Sequence, residues 1–448
     1  MDNETWNEFC SEVTKIYNNL QFNSEGDVAS YIPQLAKVNP NFLGISIFSI
    51  DGRVFNIGDT KENFCIQSCS KTLTYAVALR DNGIEAVNNH IGREPSGARF
   101  NAFIFDEDNK PFNPLINSGA IMAASLIKNN DTEDKRFEYI VDIWKSIVGK
   151  KNVGFDNPVY LSEKRSANRN HALAHLMMEN NIFPEDTEIN TTLEFYFQLC
   201  SITMNSESLA KYAAMLANGG TTVDTKVKIF DPKIVRDLLC IMYTSGMYDY
   251  SGRWSFDIGL PAKSGVSGAI FAVIPNIGGV CVYSPKLDSM GNSVRGVEFF
   301  KQLTKTYNIH IFDTLISGLN EKKSITKSSE FESDTIFTLC KKNSYNSLKD
   351  ILYKINCDVD KGDYDNRRPL HIAVDDESYL SAFALLEHGA DYNVKDRWEQ
   401  TFLNLMKSKK DIKLSACFLL YYKLLFIKHY AFNKLKSKID CHDFINTL

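Results

Sequence analysis

Ser68-Cys69-Ser70-Lys71 sets a hydroxyl and an amine three residues apart where a helix is predicted to begin. One helical turn stacks two such side chains on a single face. A lysine in that position can take the proton from a serine, a task more often given to histidine. Four letters also describe an N-cap serine followed by an exposed lysine. A second string narrows the choice. Lys263-Ser264-Gly265 opens a run reading Val266-Ser267-Gly268-Ala269-Ile270-Phe271-Ala272-Val273-Ile274, predicted as a strand with small residues at its head. A chain using both strings must lay this late strand against the early helix. The Lys263 ammonium would then disfavour charge on Lys71 and hold it partly neutral and basic near neutral pH. Glycine at position 265 permits close approach to the backbone.

The surrounding pattern supplies elements for that arrangement. Residues 1–28 read as one amphipathic helix, with Trp6, Phe9, Val13, Ile16 and Leu20 at helical spacing. Phe42 to Ile50, Asp51-Gly52, and Arg53 to Ile57 read as a hairpin, because Asp-Gly favours the tight turn joining antiparallel strands. Helical patterns dominate from about 68 to 260, before a second strand pair, Ala269–Ile274 and Val280–Tyr283, and a helix near Ser293–Tyr307. Strands at both ends of a block predict an antiparallel sheet with a helical lobe inserted.

Residues 317–334 turn polar and charged, as a linker does. Beyond them Asp358, Asp363 and Leu370 recur as Asp391, Asp396 and Leu403, each 33 residues on. Arg368-Pro369-Leu370-His371-Ile372-Ala373 approximates a Thr-Pro-Leu-His-x-Ala string. Period and string resemble ankyrin repeats, in two or three degenerate copies that need a neighbour or partner protein to cover their apolar faces. The expected organisation is an N-terminal helix (1–28), a catalytic block (29–316), a linker (317–334), repeats (335–425) and a tail (426–448).

Composition excludes some partners. With 55 acidic against 50 basic residues the net charge is -5, which leaves no basic surplus for nucleic acid or an acidic membrane. A small soluble substrate fits better. Ten cysteines without a Cys-x-x-Cys pair predict reduced thiols in an intracellular protein, with neither disulfides nor zinc. Met1-Asp2-Asn3-Glu4-Thr5-Trp6 has no export or organelle signature, so a cytoplasmic location is expected. The apolar stretch Leu414–Ile427 is interrupted by Lys423 and is predicted as a buried terminal helix.

Four further stretches accompany the two lysine strings: Tyr31-Ile32-Pro33-Gln34-Leu35-Ala36, Asn113-Pro114-Leu115-Ile116-Asn117-Ser118-Gly119-Ala120, Phe195-Tyr196-Phe197-Gln198-Leu199-Cys200 and Gly246-Met247-Tyr248-Asp249-Tyr250-Ser251-Gly252. Together they resemble the serine-dependent glutaminases, and the repeats point to the animal kidney/liver type. The resemblance implies an α/β (α+β) chain. Its parts would be a β-lactamase/penicillin-binding-protein-like antiparallel sheet with a helical lobe, then all-α ankyrin repeats. It implies hydrolysis of L-glutamine to L-glutamate and ammonia.

Carried over by position, Ser68 would be the nucleophile, Lys71 its base, Tyr248 a proton shuttle to the leaving ammonia, and Lys263 the second amine. Tyr31, Asn117, Glu163, Asn170 and Tyr196 match glutamine-binding positions. The Val266 and Ser68 amides match the oxyanion donors. The resemblance also implies no cofactor or metal, inorganic phosphate as activator, a homodimer or homotetramer, and mitochondria as the alternative compartment. Chemistry agrees with the residue types. Glu163 can pair with the α-ammonium of glutamine, while Asn and Tyr donors hold its α-carboxylate, so a simple amide would leave buried polar groups unpaired. The rival readings are a β-lactam or peptidoglycan hydrolase on the same scaffold and a catalytically silent interaction protein built around the repeats.

Overall fold

The computed structural model describes residues 1–313, 322–325, 336–354, 358–409 and 423. Much of the expected linker, residues 410–422 and the 426–448 tail lie outside the described residues, as does nearly all of the helix expected at Leu414–Ile427. The remainder forms two compact units, one of residues 1–313 with 322–325 and one of residues 336–409.

The first unit is organised by a five-stranded sheet. Its strands are β1 (Gly44–Ser49), β2 (Val54–Gly58), β6 (Ala262–Gly265), β7 (Ala269–Ile274) and β8 (Gly278–Tyr283), in the order β2-β1-β8-β7-β6. Every pairing is antiparallel. The first strands of the block thus join the last, as the sequence predicts. In β7 and β8 every residue is buried, yet the two faces serve different cores. Ile270, Ala272, Val280 and Val282 meet Phe9, Val13 and Ile16 of the Asn3–Leu20 helix and Phe299, Phe300 and Leu303 of the Val294–Thr306 helix. Phe271, Val273, Cys281 and Tyr283 face the opposite way, toward the helical lobe. Two covered faces explain the unbroken apolar runs, whereas the edge strand β2 is only half-buried on alternate residues.

Two local expectations are revised. The N-terminal helix ends at Leu20. Beyond it the backbone of Asp27 pairs with Leu287 through two hydrogen bonds, which draws the chain into an extended path. The run from Lys263 to Ile274 is a hairpin and not one strand. Gly268 adopts φ +98° and its N–H donates to the Gly265 carbonyl at 2.9 Å. A side chain there would also meet the Ser284 carbonyl oxygen at 2.3 Å.

A second, small antiparallel sheet bears directly on Ser68. It comprises β3 (Phe64–Cys65), β4 (Gly154–Phe155) and β5 (Ile202–Met204), in the order β3-β5-β4. Ile66 then donates its N–H to the Ile202 carbonyl at 2.8 Å, anchoring the chain two residues before Ser68.

In the second unit the 33-residue period has a structural counterpart. Asp363 Oδ1 accepts the amides of Asp365 and Arg367, and Asp396 Oδ1 accepts those of Trp398 and Gln400, each at 2.9 Å. His371 accepts the Arg368 amide on Nδ1, so its Nε2 carries the hydrogen that reaches the Gln400 carbonyl at 3.1 Å in the following turn. The helices Pro369–Asp375, Tyr379–Glu387 and Phe402–Lys409 share a core of Leu370, Ala373, Leu385, Leu386, Phe402 and Met406.

Candidate active site

Ser68 sits in a single 3-10 turn, Gln67–Cys69, that runs straight into the Ser70–Asn82 helix. That helix is buried on every side from Ser70 to Leu79, so Lys71 enters the interior with it. Gln67, immediately before Ser68, is held at φ +48°, a left-handed conformation that costs a non-glycine residue free energy. The end of β6 lies against this turn. The Cys69 thiol reaches the Lys263 carbonyl at 3.8 Å, and a Cβ at Gly265 would stand 2.9 Å from the Ile66 carbonyl oxygen and 3.2 Å from Cys69 Sγ. The early helix and the late strand are therefore neighbours, as the two lysine strings require. Gly265→Ala is expected to push β6 off the turn. Overpacking of this kind costs about 1–3 kcal/mol, so Tm should fall by several degrees and kcat more than Tm alone accounts for; an unchanged kcat counts against the packing role.

Lys71 and Lys263 are both fully buried, and neither makes an ion pair among the described residues. The Lys71 amine donates to the Asn117 Oδ1 at 2.7 Å and to the Leu115 carbonyl at 3.3 Å. Lys263 donates to the Ser264 carbonyl at 2.6 Å. Burial brings Lys71 down to about 8. Burial first, and the charge of Lys71 second, bring Lys263 to about 7. The sequence reading made Lys263 the cause of a neutral Lys71. In the structure desolvation is the leading cause for both amines, and the like-charge effect falls on Lys263.

Tyr248 follows the Pro232–Ser245 helix in a 3-10 turn and, like Gln67, has a left-handed backbone, at φ +53°. Its carbonyl accepts from Ser251 Oγ at 2.7 Å. Its ring lies 4.4 Å from Lys263 Nζ and 4.8 Å from the Phe100 centroid. The phenol is buried without a hydrogen bond of normal geometry, and burial raises its pKa. The Ser68 hydroxyl is near enough to favour the ionised phenol, opposing that rise.

A cleft of about 400 Å³ opens over Ser68. Its wall includes Tyr31, Ser68, Asn117, Glu163, Asn170, Tyr196 and Val266, seven of the residues expected from sequence. Glu163, in a charged run of the Asn157–Ser166 helix, accepts from Tyr31 Oη at 2.6 Å and from Gln67 Nε2 at 3.1 Å. Half of the Tyr31 side chain is exposed at the rim while its hydroxyl turns inward. Burial lifts the Glu163 carboxyl above its ordinary range, and these two hydrogen bonds oppose the lift. Asn117 Nδ2 donates to Asn170 Oδ1 at 3.0 Å, and Tyr196 Oη reaches Asn117 Oδ1 at 3.4 Å. The Val266 N–H finds no acceptor among the described residues.

Lys71 and Lys263 stand behind the cleft wall, and Tyr248 lines a neighbouring cleft of about 470 Å³. Phe100 belongs to both walls. Gln67, Phe100, Asn101 and Cys200 also line the cleft over Ser68, though the sequence reading had not named them as site residues. The local hints were Gln67's place beside Ser68 and Cys200's place in the Phe195–Cys200 stretch.

A carboxyl group, two side-chain amides and two phenols gathered around Ser68 in one cleft suit a small amino acid carrying an amide. Independent likenesses agree. The sequence pattern of the glutaminase family matches residues 26–312. The chain is similar to putative glutaminase 2 of Caenorhabditis elegans, 42% identical over 408 residues, covering 90% of this chain and 67% of the relative. It is 37% identical over 396 residues to the mitochondrial liver isoform of glutaminase from Mus musculus, covering 87% of this chain and 65% of that one. The probable glutaminase ybaS superposes with a TM-score of 0.64 at 34% identity, over 68% of this chain and 97% of its own. Pattern, relatives and architecture converge on the block that contains the cleft, and the chain belongs to the glutaminase family of enzymes.

Proposed function

We propose that this chain hydrolyses L-glutamine to L-glutamate and ammonia through a Ser68 acyl-enzyme. The observation that carries the reading is the single cleft in which Ser68 and Glu163, far apart in sequence, face the same small volume, with the buried Lys71 bonded to the cleft-lining Asn117. Ser68 Oγ attacks the side-chain carbonyl carbon, and its proton passes to the neutral amine of Lys71. The oxyanion receives the Ser68 and Val266 amides. As the C–N bond breaks, the proton returns to the leaving nitrogen through the Tyr248 hydroxyl, with Lys263 beside its ring. Water then attacks the ester and gives its proton to the Lys71/Tyr248 pair; the C–Oγ bond breaks as that proton passes on to Ser68 Oγ, and glutamate departs.

Glu163 would pair with the substrate α-ammonium, Tyr31 orienting it. Asn117, Asn170 and Tyr196 would hold the α-carboxylate. Incubation with glutamine and hydroxylamine tests the whole scheme, since an acyl-enzyme partitions to the hydroxamate. Neither ammonia nor hydroxamate above the blank would overturn it.

Glu163→Gln removes the charge and keeps the shape. A charge-assisted hydrogen bond is worth about 1.5–3 kcal/mol, so KM should rise roughly 10- to 100-fold with a smaller change in kcat. An unchanged KM would remove Glu163 from the ammonium site.

The repeating turns of the second unit support an ankyrin-type reading with a protein partner. Inorganic phosphate as an activator, a homodimer or homotetramer, and a cytoplasmic or mitochondrial location complete the proposal. Light scattering across phosphate concentrations, run beside the activity assay, tests the assembly.

A further inference from the structure

We propose that Asn117 is a positioning residue for Lys71. Its one planar amide links the base to the residues read as holding the carboxylate end of the substrate, so that a change at Asn117 is felt in turnover and not in binding alone. The proposal rests on the reading of Ser68 and Lys71 given above and adds a coupling between two parts of that site.

The argument begins with the valence of the amine. A neutral lysine has two N–H donors and one lone pair. Two acceptors surround Lys71 Nζ, the Leu115 carbonyl and Asn117 Oδ1. With both hydrogens committed, the lone pair is confined to the remaining direction, whereas an amine with one acceptor would rotate freely. The two acceptors are not equivalent. Leu115 contributes backbone, fixed by Asn113 Oδ1, which accepts its N–H at 3.0 Å. Asn117 contributes a side chain, the first residue of the Asn117–Ser125 helix, and reaches the cleft wall.

The orientation of that amide is determined by its partners. Only its oxygen can accept from a lysine, so its NH₂ must face away, where it meets Asn170 Oδ1 at 3.0 Å. The NH₂ edge thus sits beside Asn170, while Tyr196 Oη reaches the same oxygen that Lys71 uses, so both residues read as holding the α-carboxylate touch this one amide. A carboxylate arriving there draws on the same rigid plane that orients the base. Without it the plane still rests on Asn170 and Tyr196, so a change at Asn117 itself is what disturbs the amine.

Other titratable groups around Lys71 are Lys263 on β6 and Cys200 and Tyr196 on the Ile189–Cys200 helix, with Cys69 and Tyr248 against Lys263. Burial raises the thiols and phenols, which keeps them neutral, so Lys263 is the one other group here that changes charge near neutral pH.

The test is kcat and KM for glutamine across pH in the wild-type protein, Asn117→Asp and Asn117→Ala, with folding checked by circular dichroism. In Asn117→Asp a carboxylate against Lys71 keeps the amine charged, so the rising limb of kcat should move up by about one pH unit or more, with activity recovering at high pH. In Asn117→Ala the amine loses an orienting acceptor, and kcat should fall about 100-fold. Should Asn117→Asp fail to fold, the kcat of Asn117→Ala decides alone. A raised KM with kcat and its pH limb unmoved would reduce Asn117 to a carboxylate contact and overturn the coupling while leaving Ser68 and Lys71 intact. A wild-type kcat with no rising limb would instead sink the base assignment, and the coupling with it.

Discussion

Ser68→Ala is expected to abolish ammonia release from glutamine. Loss of the nucleophile in a serine hydrolase lowers kcat by about 10⁴- to 10⁶-fold, because no other group can form the acyl intermediate. The fold should not notice. Ser68 occupies one 3-10 turn whose neighbours are anchored independently, through the Ile66–Ile202 hydrogen bond on one side and the buried Ser70–Asn82 helix on the other. Circular dichroism and Tm should match the wild type within a degree or two. Turnover within about tenfold of the wild type would place the nucleophile elsewhere and dismantle the mechanism.

Lys71→Met should cost nearly as much, about 10³-fold or more in kcat, since the serine hydroxyl then has no base. The pH dependence carries a second expectation. With Lys71 brought to about 8 and Lys263 to about 7, kcat/KM should rise through neutral pH and level off above pH 8 as the amines lose their protons. Stability should follow the same direction. Both folded-state values lie below the ordinary lysine value of 10.5, so between them and that value the unfolded chain binds more protons than the native one. Unfolding free energy therefore increases as pH rises from about 7 toward 10 and is smallest below that window, where both buried amines are charged. Lys263→Met should flatten this slope and raise Tm near neutral pH by a few degrees, a relief of about 1 kcal/mol or more, while abolishing activity. A Tm that falls as pH goes from 7 to 9 in the wild type would show that the amines are not the buried, unpaired pair described here.

The stability cost of these lysines also bears on two of the left-handed backbones. Gln67 and Tyr248 both hold left-handed conformations, and they adjoin Ser68 and Lys263. Such outliers persist only where the surroundings over-determine them. At Gln67 the constraint is visible as the 3.1 Å hydrogen bond to Glu163, and at Tyr248 as the Ser251 bond and the Phe100 contact. Two left-handed residues and the two buried amines thus adjoin one another at the groups proposed for chemistry.

Much of this was legible in the order of the residues. Asp51-Gly52 foretells the turn between β1 and β2, and the short apolar run Ala269–Ile274 foretells a strand, because turns and short strands are set by a few adjacent residues. Glu163 was different. Its run, Ser162-Glu163-Lys164-Arg165-Ser166, is indistinguishable locally from a solvated helix face, and only the partners Tyr31 and Gln67 reveal that this carboxylate points inward. The hairpin at 266–268 was missed for a similar reason, since the Ser284 carbonyl that crowds Gly268 is remote in sequence.

The sequence by itself therefore determined the family and the main strands, and proposed the reacting groups, because each depends on residue type and short spacing. Only the tertiary structure decided the state of those groups: how far burial lowers the two amines, which amide orients Lys71, and that Tyr248 belongs to a second cleft. Desolvation and hydrogen-bond direction depend on atoms contributed by segments tens to hundreds of residues apart, and such properties exist only once the chain has closed around them.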